Sequence, residues 1–327
     1  MVIIISIIIL LVLVFLIRFF IYKNQNVDLE VNIKQYFKIN GISHYLTIRG
    51  RKNNAPILIT LHGGPNCSLI PYSFVWQKEI EKKYIVVNYD QRLCGRTAMR
   101  NLKIKNATQE ELIEDLKCII EYLKKMFTFD KVTLLGHSGG TILGIEFLEK
   151  YPELVEKYIG VSQIYNFKKG IKKELSKVLT NSKITDIDKY RVKLILEQDK
   201  NLDSVQEMMV AFKYIFKYLK QQEPIFKLIL MQIFSPYMGI IDWWYFTHSN
   251  KGNEEYGFLK FDLEDKILNS EIKYNFILGN EDHTVCPDII KKFAENKENI
   301  KIYCIRNCGH VPMYAKTKEF NEIISKI

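Results

Sequence analysis

Several things are scarce in this chain of 327 residues. Cysteine occurs only six times, at Cys67, Cys94, Cys118, Cys286, Cys304 and Cys308, and no C-x-x-C pair is present. That spacing is too sparse and irregular for a disulfide scaffold, and Cys304 and Cys308 have no second ligand cluster to complete a zinc site. The thiols are therefore expected to be reduced, with no metal and no organic cofactor implied. Histidine is equally rare, at six residues, so a search for a catalytic base has few places to look. The formal charge is +10, yet lysines are scattered in pairs such as Lys82-Lys83, Lys124-Lys125 and Lys291-Lys292. Without a basic block or a recognisable nucleic-acid motif, the excess reads as solvated surface, and nucleic acid is not an expected partner. Internal repeats and low-complexity tracts are also missing. A hydrophobic share of 47 % with 26 % charged residues places the chain among ordinary globular proteins. Oligomeric state is not legible in it.

What the chain does have begins with a long apolar run. From Val2 to Tyr22 only one charge, Arg18, interrupts VIIISIIILLVLVFLIRFFIY. About 21 helical residues at roughly 1.5 Å each reach across a ~30 Å hydrocarbon core. No Lys or Arg precedes the run and no small-x-small cleavage site follows it, so residues 1–23 are expected to be an uncleaved single-pass anchor touching the membrane through residues 2–22. Arg18, Lys23, Lys34 and Lys38 follow the run, which by the positive-inside rule puts the remainder of the chain in the cytoplasm.

After a polar linker from Asn24 to about Asn32, apolar runs of strand length alternate with helical patterns. This is the signature of an α/β protein with a mostly parallel central sheet and helices on both faces. Candidate strands are 45–48, 56–61, 84–89, 132–135, 158–161, 274–278 and 300–305. Between 110 and 126, Leu112, Leu116, Ile119, Ile120 and Leu123 fall at the three- and four-residue spacing of an amphipathic helix. The rhythm breaks over residues 164–265, which read as a helical cap inserted between two parts of one core, residues 24–163 and 266–327. Two aromatic stretches of the cap, Phe234 to Met238 and Trp243 to Phe246, suit either the lining of an apolar pocket or the packing of the cap itself.

The chemistry is carried by Gly136-His137-Ser138-Gly139-Gly140, which follows the strand at 132–135 and opens a helical pattern. A serine at a sharp strand-to-helix turn needs small residues on both sides to clear its neighbours. Its hydroxyl is a poor nucleophile until a base takes the proton, and that base needs an acid to fix its tautomer. In this architecture the order along the chain is serine, acid, histidine, each after a strand. Asp282 follows the strand at 274–278 and His310 follows the one at 300–305. Glu281 is the substitute acid and His283 the rival histidine. Donors for a developing oxyanion are expected from the backbone N–H groups of Gly139 and of Gly64, the latter in His62-Gly63-Gly64-Pro65 directly after the strand at 56–61.

Together with Asp90-Gln91-Arg92-Leu93-Cys94-Gly95-Arg96-Thr97, these segments resemble the proline iminopeptidase (prolyl aminopeptidase) branch of the α/β-hydrolases. That family reads H-G-G-P-G and then D-Q-R-G-x-G-x-S, so Asn66, Leu93 and Thr97 are departures. The resemblance implies an α/β-hydrolase fold, a catalytic set of Ser138, Asp282 and His310, and active-site support from His62, Gly63, Pro65, Asp90, Gln91, Arg92, Gly136 and His137. It also implies peptidase activity on short peptides with a free N-terminus. Family aminopeptidases carry a tryptophan after the nucleophile, where this chain has Gly139, and cap glutamates that hold the substrate amine. Glu174, Glu197, Glu207 and Glu223 are available for that role, but each reads more simply as a helix-surface residue. Two alternatives stay open: a carboxylesterase or lipase acting on apolar esters, and a catalytically silent hydrolase-fold binding protein.

Overall fold

The structure is a computed structural model that describes residues 2–64, 67–197, 202, 204–220, 222–239, 241–242, 260–264, 266 and 272–327. Eight strands make one sheet in the order β1-β2-β4-β3-β5-β6-β7-β8. They are β1 Val31–Ile39, β2 Ile42–Gly50, β3 Ile57–Leu61, β4 Ile85–Tyr89, β5 Val132–His137, β6 Val155–Val161, β7 Lys273–Gly279 and β8 Ile300–Ile305. β2 pairs antiparallel with both β1 and β4, and every other pairing is parallel. All residues of β3, β4 and β5 are buried, which is why these strands read as continuous apolar runs: helices cover both faces of a parallel sheet. The expected α/β architecture is the one observed.

Two details differ from the expectation. The stretch taken as linker is shorter, because the first helix runs to Gln25 and β1 opens at Val31. β1 is an edge strand of mixed burial, with Lys34 and Gln35 at its centre, so its alternation is weak. Asn40 and Gly41, both at positive φ, turn it tightly into β2. Secondly, the strand expected at 45–48 is longer at both ends and takes in His44, which is buried 3.4 Å from Asp115.

Twelve helices matter below: α1 Val2–Gln25, α2 Ser73–Ile80, α3 Gly95–Arg100, α4 Gln109–Lys124, α5 Gly139–Lys150, α6 Phe167–Leu179, α7 Asp186–Glu197, α8 Val205–Tyr218, α9 Ile225–Phe234, α10 Pro287–Ala294, α11 Pro312–Ala315 and α12 Thr317–Lys326. α4 shows how sequence sets these elements. Thr108 and Glu111 form a reciprocal capping box at its start, and its apolar stripe of Leu112, Leu116, Ile119, Ile120 and Leu123 is buried. One apolar cluster joins α4 and α5 to the sheet and extends into α6 and α8; a second contains Trp76 of α2 and Phe320 of α12.

Helices α6 to α9 all lie between β6 and β7. The two ends of this excursion meet, since Asn166 donates to the Asp262 carboxylate at 2.7 Å and the Leu263 N–H to the Tyr165 carbonyl at 2.8 Å. Asp265, the expected upper limit of the cap, lies outside the described residues. α1 is long and apolar enough to cross a membrane, with no residue of its apolar window buried, and its C-terminal part packs on α2 and α9.

Candidate active site

Ser138 sits between the last residue of β5 and the first of α5, with φ 52° and ψ −124°. This left-handed backbone is costly for a residue with a Cβ and holds only because the surroundings over-determine it. The Ser138 N–H donates to the Val161 carbonyl at 3.0 Å, and its own carbonyl accepts from the N–H and hydroxyl of Thr141 at 2.8 and 2.6 Å. Gly136 is required there because a Cβ on it would lie 2.9 Å from the Gly140 carbonyl oxygen. Gly140 is tighter still, as a Cβ would overlap the Leu61 and His62 carbonyls.

The other two residues arrive from the far side of the sheet. His310, after β8, places Nε2 2.9 Å from Ser138 Oγ and Nδ1 2.9 Å from Asp282 Oδ2. With a carboxylate as acceptor, Nδ1 carries the proton and Nε2 is left to accept from the serine hydroxyl. Asp282 is buried and its other oxygen accepts from the N–H groups of Thr284 and Val285 at 2.9 and 3.3 Å. Burial alone would raise its pKa, but His310 and the Thr284 N–H outweigh burial and hold the carboxyl below its ordinary range. Burial likewise works against a charged His310 ring, and Asp282 and Glu223 overcome it, so the imidazole pKa is raised. Glu281 is not the acid in contact with His310. His283 is turned away, bonded through Nδ1 to Glu174 at 2.7 Å.

On the opposite flank, Gly139 and Gly64 adjoin each other: a Cβ on Gly139 would stand 2.9 Å from the Gly64 backbone nitrogen. Gly139 also opens α5, so its N–H belongs to the positive end of a helix dipole. His62 sets the loop. Its Nδ1 donates to the Gly63 carbonyl at 2.7 Å, while its Nε2 accepts from the Gln91 N–H at 3.0 Å. The Gln91 side chain closes the arrangement by donating to the His62 carbonyl at 3.0 Å. Burial lowers the His62 pKa to about 4, so the ring stays neutral and keeps this tautomer. Because the Gly63 carbonyl and the Gly64 N–H belong to one planar peptide, fixing the first aims the second.

The remaining expected support residues divide. His137 donates from Nε2 to the His310 carbonyl at 3.0 Å and is itself held neutral, its pKa lowered to about 4 by burial and by the neighbouring His310. Asp90 accepts from the Ser68 hydroxyl at 2.5 Å and from the Arg96 N–H at 2.8 Å, and burial raises its pKa to about 6. A Cβ on Gly95, which sits at φ 48°, would collide with the Asp90 carboxylate. Thr97 keeps the hydroxyl of the family's serine, donating to the Asp90 carbonyl at 2.7 Å. Leu93, in place of glycine, still takes φ 63°. Arg92 does not reach the site; its guanidinium is spent on Asp115, at 2.6 and 3.0 Å, and Glu111. Pro65 lies outside the described residues.

A cavity of about 410 Å³ opens over Ser138, and Phe167, Met208, Phe212 and Leu228 of the inserted helices face Tyr314 across it. The aromatic stretch Phe234 to Met238 is not part of its lining, contrary to one expectation. Ser235 donates to the Pro71 carbonyl at 2.6 Å, and the Tyr237 backbone carbonyl accepts from Arg96. Trp243 to Phe246 lie outside the described residues.

Of the four glutamates read as surface residues, Glu174 is buried and Glu223 is half-buried against the site. Glu174 pairs with His283 and Lys177. Glu223, 87 positions before His310, accepts from the His310 N–H at 2.5 Å. Burial raises its pKa. No spacing in the sequence ties these residues together. Ser162 was also missed. It directly follows β6, at φ 47°, and donates to the His310 carbonyl at 2.9 Å. Its place beside the nucleophile's strand, at a carboxyl edge, is the signal that would have found it.

A serine on a strand-to-helix turn, backed by a histidine and a buried aspartate from later strands, defines a class of hydrolases. The chain belongs to the alpha/beta hydrolase fold family, which matches residues 56–317. Among its relatives it is 36 % identical to the probable aminopeptidase YbaC of Bacillus subtilis over 42 % of this chain and 43 % of that protein. It is 23 % identical to the proline iminopeptidase of Saccharolobus solfataricus over 94 % and 95 % of the two chains. The proline iminopeptidase-related protein of Thermus thermophilus has the same fold, with a TM-score of 0.61 at 18 % identity over 90 % of this chain and 96 % of that one. The likeness to the proline iminopeptidase branch read from the motifs thus recurs in the relatives' names.

Proposed function

We propose that this hydrolase works through an acyl-enzyme formed on Ser138, and the observation that carries the reading is the unbroken line Ser138–His310–Asp282 with two contacts of 2.9 Å. As Ser138 Oγ bonds to the substrate carbonyl carbon, its proton passes to His310 Nε2. The Gly64 and Gly139 N–H groups receive the oxyanion. His310 then returns the proton to the leaving amine or alcohol, and water repeats the cycle to release the acid. Asp282 orients the ring and stabilises its transient charge.

The substrate class proposed is a short peptide with a free N-terminus, cleaved as a proline iminopeptidase-like aminopeptidase would cleave it. Its support is the Asp90 to Thr97 motif together with Glu223, a carboxylate of the α8–α9 connection that accepts from the His310 backbone N–H and is the group proposed to hold a substrate ammonium. A second reading, an esterase acting on apolar acyl chains, is favoured by the lining of Phe167, Met208, Phe212 and Leu228. Turnover of proline-naphthylamide against p-nitrophenyl butyrate by the full chain separates the two, with Ser138→Ala as the blank. Ester cleavage without amide cleavage would reject the peptidase reading; loss of neither in the blank would reject the mechanism.

The helices of residues 164–265 act in this proposal as a cap over the site. α1 is proposed to be an uncleaved single span with the catalytic domain cytoplasmic, as Arg18, Lys23, Lys34 and Lys38 indicate. Trimming of the domain by a protease added outside intact cells would refute that topology.

A further inference from the structure

If α1 crosses a bilayer, too little of it stands clear of the protein to do so alone. Positions Ile3 to Leu13 are exposed on every side. From there Val14, Arg18, Ile21 and Gln25, spaced about one turn apart, are the less exposed positions of a helix that rests on α9 and α2. This exposed stretch is about 16 Å long at roughly 1.5 Å per residue, about half of a ~30 Å hydrocarbon core. The other half of the span must lie where the domain's own flank lies.

That flank is apolar. On α9, Ile225 is 65 % exposed and Phe226 74 %, with Ile229 and Ile233 also open, and these four share one sector of the helix. The opposite sector faces inward: Met231 is buried, Leu228 lines the Ser138 cavity and Gln232 donates to the Tyr72 hydroxyl. Ile241, shortly after the helix, is 70 % exposed. The single charge within the apolar run of α1 is satisfied here too, since Arg18 donates to the Met238 carbonyl just past α9. Where α1 ends at Gln25, a surface groove is lined by Lys78, Lys82, Lys83 and Lys318 against only Glu79 and Glu322, a balance that suits anionic headgroups.

We propose that the outer face of α9, with Ile241, is a bilayer-contact surface that sinks into the leaflet from which α1 emerges, so that one helix walls the catalytic cavity on one side and touches lipid on the other. A stripe of this kind beds about 5–10 Å into the headgroup and acyl boundary. The proposal rests on the reading of α1 as a span, and the test keeps the two apart.

The full chain is reconstituted in phosphatidylcholine–phosphatidylglycerol vesicles doped with a phospholipid carrying a diazirine on its acyl chain, irradiated, and its adducts mapped by mass spectrometry. Adducts are expected on α1 and on residues 225–233, with only background on α7, whose Ile187 and Tyr190 are equally exposed but which packs on α6 and α8. Labelling of α1 without α9 would overturn the proposal and leave the span intact. Labelling of neither would remove both. In the double variant Phe226→Glu, Ile229→Glu the α9 adducts should fall about tenfold or more, given the cost of placing charge in the acyl region, while α1 adducts and soluble-ester turnover persist. Unchanged α9 labelling in that variant would also overturn the proposal.

Discussion

The carboxyl edge of the sheet and the helices inserted after β6 meet over Ser138 but are built on different principles. At the edge, side chains are fixed by named partners: His62 by Gln91 and Gly63, His310 by Asp282, and the His310 carbonyl by His137 and Ser162. The inserted helices offer mainly apolar surface, Phe167, Met208, Phe212 and Leu228, and the connection between α8 and α9 sends the Glu223 carboxylate to the His310 N–H. Directional bonds suit a site that must hold reacting atoms within fractions of an ångström; apolar contact suits one that must accept a shape. Under the proposed mechanism, chemistry falls to the edge and selection to the insertion.

The comparison breaks if edge residues can be changed cheaply. Ser138→Ala should lower turnover by about 10⁶ and Asp282→Asn by about 10⁴, the second because the wrong imidazole tautomer would face the serine. Both are read as kcat on the better substrate with folding checked by circular dichroism; a loss of less than tenfold in either would mean the line of contacts is not the working one. His62→Ala should cost about 10²–10³ in kcat with little change in KM, because the Gly63–Gly64 peptide loses the bond that aims its N–H. A change confined to KM would place His62 in binding.

The smallest effect is the most informative about the insertion. Glu223 helps hold the His310 pKa up, and the base works only when neutral, so the acidic limb of kcat/KM should stand above the ordinary histidine range. Glu223→Gln removes that charge and should move the limb to lower pH, with ester turnover changed less than aminopeptidase turnover. A limb that does not move, with both substrates affected equally, would reduce Glu223 to packing.

The two regions also differ in how far they could be read in advance. The elbow, the acid, the histidine and the glycine loop were legible because each follows a strand at a spacing that chemistry constrains. Thr97 could be placed with its motif even though it replaces a serine. The insertion was legible only as helical. Glu174 and Glu223 resemble any other glutamate of a Lys-rich segment, and their contacts depend on His283 and His310, which arrive from distant parts of the chain. β1 was obscured for a local reason, the polar pair Lys34-Gln35 at its centre, and Arg92 was assigned to the site because its motif neighbours belong there while its own side chain faces α4.

The backbone of Ser138 carries one more consequence, for thermal behaviour. A residue with a Cβ at φ 52° gives up about 1–3 kcal/mol of folding stability at that position. Activity and heat resistance are thus opposed at a single residue: Ser138→Gly should be inactive yet melt a few degrees above Ser138→Ala, which keeps the unfavourable torsion, as differential scanning calorimetry would show. Selection for a more heat-resistant form of this chain, in the absence of selection for turnover, would be expected to erode Ser138, the proposed nucleophile, first.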